Sequence, residues 1–120
     1  MSLKILVADD SSTMRKIILR SLQAVGVSDA TEAGDGNEAF VKFQAESFDL
    51  VMTDWNMPIK TGLELARDIR STGSTVPVLM ITTEAEKSRV MEAIQAGVTD
   101  YLVKPFTAEV LRDKLAKYVV

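Results

Sequence analysis

Asp54 ends the apolar run Leu50-Val51-Met52-Thr53, and the chain turns at once through Trp55-Asn56-Met57-Pro58. A carboxylate at such a point is a metal ligand, a nucleophile or a cap for the next helix. Three other runs end in polar groups: Leu3–Ala8 in Asp9-Asp10, Val76–Ile81 in Thr82-Thr83, and Thr99–Val103 in Lys104-Pro105. Brought to one place, these supply three carboxylates, a hydroxyl and an ammonium. Carboxylates packed together repel, so they take up protons or bind a cation. With no His and no Cys in the chain, a Ser-His-Asp triad, a Cys nucleophile and an ordinary zinc site are all excluded. Oxygen-only ligands favour Mg²⁺, with Mn²⁺ as a substitute. With the cation present, Asp54 can attack phosphorus to give an aspartyl-phosphate. Lys104 then neutralises charge on the transferring group, and the Thr82 hydroxyl donates to a phosphoryl oxygen. Singly, each residue has a plainer role: Asp9 or Asp10 starts a helix, Thr82 makes a turn, Lys104 is a solvated charge. Their placement at successive strand ends makes the set far stronger than its members.

The elements between these residues must position them. Ser11 or Ser12 caps a helix with Met14, Ile17, Ile18, Leu22 and Val25 at helical spacing, stopped by Gly26. Asp29–Ala33 is a weak, peripheral strand. Asp35 and Glu38 form a capping-box pattern for a second helix burying Ala39, Phe40 and Phe43. Pro58 and Gly62 bound a loop, and Gly62–Ser71 is a third helix with Leu65, Ala66 and Ile69 on one face. Glu84–Ala96 reads as a fourth helix with a thin apolar stripe of Val90, Met91, Ala93 and Ile94, closed by Gly97. Thr107 caps the last helix, which carries Val110, Leu111, Leu115, Tyr118 and Val119. Five strand–helix units in unbroken alternation predict a doubly wound α/β fold, a parallel sheet with helices on both faces and right-handed crossovers. Such a sheet brings all its strands' carboxyl ends to one edge, where open α/β sheets place their ligands.

The 120 residues suit a single domain over 1–120, at 47% hydrophobic and 26% charged. A net charge of −3 gives no basic surface for nucleic acid. No apolar run approaches the roughly 18 residues of a membrane span, and Met1-Ser2-Leu3-Lys4 leads straight into a strand without a signal peptide. The expectation is a cytoplasmic monomer.

With these residues in view, the chain resembles the receiver domains of two-component response regulators. Asp9-Asp10, Asp54, Thr82 and Lys104-Pro105 match that family's acidic pair, phosphoacceptor, switch hydroxyl and lysine motif in order and spacing. Ser12-Thr13-Met14-Arg15, Asp54–Pro58, Gly62-Leu63-Glu64-Leu65, Pro77-Val78-Leu79-Met80 and Val103–Thr107 resemble signature segments of its single-domain chemotaxis members. The resemblance covers essentially the whole chain and implies a flavodoxin-like (βα)5 fold with strand order 2-1-3-4-5. It implies that Asp10, Asp54 and the Asn56 main-chain carbonyl hold Mg²⁺, with Asp9 supporting through water. It makes Tyr101 the switch aromatic and has Asn56 and Glu84 tune hydrolysis of the phosphoryl group. It also implies a cis Lys104–Pro105 bond. The changed face would comprise the fourth helix, fifth strand and final helix, with Lys87, Tyr101 and Lys114 near the partner. The partners implied are a sensor histidine kinase of the chemotaxis type, the flagellar motor switch or another output protein, and a phosphatase. On this reading the chain is no enzyme, but assists its own phosphorylation and dephosphorylation. Thr83 departs from the family, where Ala is common. Trp55 adjoins the acceptor; its plain reading is a loop-packing residue with the indole exposed at the rim.

Rival readings are weaker. Gly34–Ala39 fits the dinucleotide pattern G-x-G-x-x-A, but Asp35 and Glu38 put negative charge where a pyrophosphate must sit. An aspartyl-nucleophile phosphohydrolase carries its nucleophile after the first strand with an acid two positions on; here the candidate follows the third, and position 56 is Asn. A flavodoxin-like electron carrier lacks its Thr- and Ser-rich loop. A degenerate, purely protein-binding receiver is at odds with the intact acidic cluster. Within the family, a phosphorelay intermediate is the alternative.

Overall fold

The computed structural model describes residues 3–118; the side chains of Glu84, Ala85 and Lys87 lie outside the described residues, as does Val119. Five strands, β1 (Lys4–Ala8), β2 (Asp29–Ala33), β3 (Leu50–Asp54), β4 (Val78–Thr82) and β5 (Asp100–Val103), form one sheet in the order β2-β1-β3-β4-β5. Every pairing is parallel. This is the flavodoxin-like order. Parallel strands covered on both faces must be apolar on both, and every residue of β3 and β4 is buried. The two edge strands are the exceptions: β2 exposes Asp29 and Glu32, and in β5 only Leu102 is fully buried.

Alternate residues of the strands feed two cores. Ile5, Val7, Leu50, Met52, Leu79 and Ile81 pack with Ile18 and Leu22 of α1 (Ser12–Ala24) and with Leu111 and Leu115 of α5 (Ala108–Tyr118). Leu6, Ala8, Val51, Val78 and Met80 pack with Ala39 of α2 (Gly36–Ala45), with Leu65, Ala66 and Ile69 of α3 (Gly62–Ser71), and with Ala93 of α4 (Val90–Gln95). The Ser11 side chain caps α1, accepting from the Met14 N–H. Gly26, at φ +89°, adopts the left-handed conformation that ends it.

Two local expectations are corrected. The single helix over 84–96 is a 3₁₀ segment, Glu84–Arg89, followed by the short α4. Arg89, at its N-cap, makes no side-chain cap bond, and Met91 and Ile94 are 68% and 40% exposed. With Ala93 the only buried residue of α4, too little apolar contact supports a longer α-helix. At α2, Asp35 caps as expected, but Glu38 reaches past it to the Gly34 N–H; the reciprocal capping box forms instead at Thr61 and Glu64 of α3. Among the described residues no helix is long and apolar enough to cross a membrane.

Candidate functional site

The carboxyl ends of β1, β3, β4 and β5 meet at one sheet edge. Asp9 and Asp54 are buried, at 1% and 8% exposure, and Asp10 is exposed. One carboxylate oxygen from each lies within 4.8 Å of the others. Backbone fixes this arrangement. The Asp9 N–H extends the sheet by bonding the Ala33 carbonyl, and Arg15 of α1 donates to the Asp9 carbonyl at 2.5 Å while pairing with Glu32. The Ser11 N–H donates to Asp9 Oδ1, and Asp9 Oδ2 is buried without a partner. On the far side Gly62 presses against the end of β3: a Cβ there would stand 2.1 Å from the Asp54 carbonyl oxygen. The Gly62 N–H bonds the Trp55 carbonyl, so the β3–α3 loop closes tightly over the site.

Burial is the main force raising the Asp54 carboxyl, to about 6, and the Asp9 charge adds to it; Lys104 and the Trp55 N–H pull the other way. Burial likewise raises Asp9. Lys104 Nζ lies 3.5 Å from Asp54 Oδ1, an ion pair at longer than hydrogen-bond range. The Lys104–Pro105 peptide is cis, as expected, and the Lys104 N–H donates to the Thr82 carbonyl. Two crowded acids with raised proton affinity, a third beside them and an orphaned buried oxygen fit a divalent cation, which would satisfy Asp9 Oδ2 and offset the mutual repulsion.

The remaining expected residues divide. Thr82 is fully buried, and its hydroxyl donates to the Thr83 carbonyl at 3.3 Å rather than to Asp54. The exposed Asn56 side chain donates to Glu86 Oε2 at 2.6 Å. Tyr101 is half-buried, with Lys114 Nζ 5.2 Å from its ring centroid; Lys114 and the Tyr118 hydroxyl both bond Asp100 Oδ2. The side chains of Glu84 and Lys87 lie outside the described residues. Trp55 corrects its plain reading: at 2% exposure it belongs to the core, with the Arg89 guanidinium 4.4 Å from the ring centroid. Two positioning residues escape the sequence reading. Arg15 sits one helical turn beyond its Ser11 cap, and only pairing with Glu32 of β2 could have drawn notice to it. Glu86 receives both Asn56 and Thr83, and no spacing rule links those three.

The family model of the response regulator receiver domain matches residues 5–116. The chain belongs to this family. The receiver is 47% identical to the chemotaxis protein CheY of Pseudomonas aeruginosa, over 96% of this chain and 94% of that protein. It is 47% identical to chemotaxis protein CheY-3 of Vibrio cholerae, over 97% and 91%. Among solved structures, V. cholerae CheY4 superposes with a TM-score of 0.90 at 36% identity, covering 99% of the receiver and 100% of that chain. The receiver domain of the P. aeruginosa sensor histidine kinase PA1611, solved with a magnesium ion in its active-site cleft, gives a TM-score of 0.88 at 28% identity, covering 98% of each chain. The receiver is thus CheY-like, and its kind of work is phosphorylation-dependent signalling.

Proposed function

We propose that the receiver is a phosphorylation-activated switch whose acceptor is Asp54. The observation that carries this is Asp54 itself: a buried carboxylate crowded by Asp9, with Lys104 Nζ 3.5 Å from Oδ1, at the ligand edge of the sheet. An Asp54 oxygen attacks the phosphorus of a phosphohistidine on a sensor kinase of the chemotaxis type. The P–N bond breaks, the leaving imidazole takes a proton, and an acyl-phosphate remains on Asp54. Lys104 supports the charge on the transferring oxygens. Asp9, Asp10, Asp54 and the Asn56 carbonyl would hold Mg²⁺, which when bound supplies charge neutralisation at the phosphoryl group. Water attacking phosphorus returns Asp54 to the carboxylate and releases phosphate. Asn56 and Glu84 tune that step, and a phosphatase accelerates it. The receiver catalyses no turnover on an outside substrate.

The output is a contact made by α4, β5 and α5, with Thr82 and Tyr101 as relay and Lys87 and Lys114 near the partner. In a cytoplasmic, monomeric chemotaxis regulator that partner is the flagellar motor switch. Intact mass after acetyl phosphate treatment tests the acceptor. One phosphate should add with Mg²⁺ or Mn²⁺ present, and none to Asp54→Asn; equal labelling of both proteins at one site refutes it.

A further inference from the structure

Three hydrogen bonds converge on one carboxylate beside the acidic cluster. Glu86 Oε1 accepts from the Thr83 N–H and from the Thr83 hydroxyl, both at 3.2 Å. Glu86 Oε2 accepts from Asn56 Nδ2 at 2.6 Å. One side chain thus ties the loop after β3 to the loop after β4. A second tie runs beside it, since Arg89 stacks over Trp55. Both residues that Glu86 grips adjoin the machinery: Asn56 comes two positions after Asp54, and Thr83 follows Thr82.

The Thr82 hydroxyl is spent on the Thr83 carbonyl. To donate to a phosphoryl oxygen on Asp54 it must leave that carbonyl, and any shift of the β4 end that carries it closer to Asp54 draws the Thr83 backbone with it. Thr83 resists, because its N–H and its hydroxyl are both held by Glu86. Hydrogen bonds to an ionised acceptor are the stronger kind. A contact made in one of two states biases the equilibrium towards that state.

We propose that the Glu86 carboxylate is a latch on the resting conformation, a positioning residue that acts through Thr83 and Asn56 on Thr82 and on entry to Asp54. The latch rests on the phosphoacceptor reading above. It also gives Thr83 a purpose, since a residue without a hydroxyl there leaves Glu86 only the backbone N–H on that side.

Beryllofluoride with Mg²⁺, which mimics an acyl-phosphate, is the probe, and Trp55 emission and calorimetry are the readouts. Glu86→Ala should bind it about fivefold tighter or more, the lower end of ordinary coupling between sites. Phosphorylation by acetyl phosphate should quicken by a similar factor. Thr83→Val should shift the same way by less, Thr83→Ser should stay with the parent, and Thr83→Val should add little in a Glu86→Ala background. In the metal-free protein, amide exchange over 83–86 should be faster in Glu86→Ala. General structural damage weakens binding, so the sign separates a latch from a lesion. Equal or weaker binding by folded Glu86→Ala overturns the latch; if that variant does not fold, Thr83→Val decides in the same way. A parent that takes neither probe defeats the phosphoacceptor reading and the latch with it, whereas a responsive parent matched by its variants defeats the latch alone.

Discussion

Replacing Asp54 by Asn should stabilise the metal-free receiver, and the gain should depend on pH. The Asp54 carboxyl is raised from 3.8 to about 6, first by burial and then by the Asp9 charge. At about 1.4 kcal/mol per tenfold change in proton affinity, that gap corresponds to about 3 kcal/mol. An acid raised on folding binds more protons in the native state than in the unfolded one. Its contribution to stability is therefore whole below pH ~3.8 and is lost as pH climbs through about 6. Asn resembles the protonated acid and loses nothing over that range. Urea unfolding followed by the single, buried Trp55 is the assay. At pH 7.5 without metal Asp54→Asn should exceed the parent by up to about 3 kcal/mol, and near pH 4 the two should nearly coincide. Mg²⁺ at about a hundred times its dissociation constant should return about 2.7 kcal/mol to the parent and much less to the variant. A variant less stable than the parent at pH 7.5, or a gap that ignores pH, would refute the account of Asp54 as a strained, cation-seeking carboxylate.

Asp100 should behave in the opposite sense. Burial alone would raise it, but hydrogen bonds from Tyr118 and Lys114 outweigh burial and hold it below the usual range. Asp100→Asn should cost about 1 kcal/mol at pH 7, a cost that fades on acidification as the parent's own carboxylate is protonated, visible in the same unfolding curves. Gly62→Ala drives a methyl to within 2.1 Å of the Asp54 carbonyl; a cost of about 1–3 kcal/mol in stability and slower phosphorylation by acetyl phosphate should follow together, and parent-like values in both would contradict the close approach. Thr82→Ala should still accept phosphoryl on Asp54 yet lose most of the phosphorylation-linked gain in output binding, measured by titrating a captured partner with apo and beryllofluoride-bound protein. Labelled phosphoprotein should reset itself within minutes; a half-life of hours, read from phosphate release, would point to a phosphorelay role.

The strands are legible in the sequence because burial on both faces forces near-continuous apolar runs, as in Leu50–Thr53 and Val78–Ile81. Once the runs are placed, the polar residues ending them fall at one edge by topology alone, so the acidic cluster and Lys104 are legible too. Side-chain reach is not. Arg15 and Glu86 are charged groups on amphipathic segments, and nothing in their spacing says which backbone carbonyl or amide they meet. Trp55 follows an acid in a loop with no periodicity to signal its burial. In the fourth helix the apolar spacing exists but is too sparse to decide between α and 3₁₀ geometry.

The site's groups run from position 9 to position 104, and the ammonium is the last of them to be made. Synthesis adds Asp9, Asp10 and Asp54 well before it reaches Lys104. Until β5 docks beside β4, Arg15 eases Asp9 but Asp54 lacks the counter-charge of Lys104. The last strand therefore both completes the sheet and brings the counter-charge. Without β5 in place the acids keep their mutual repulsion at Asp54 and the phosphoacceptor lacks its ammonium, which ties competence in signalling to completion of the fold.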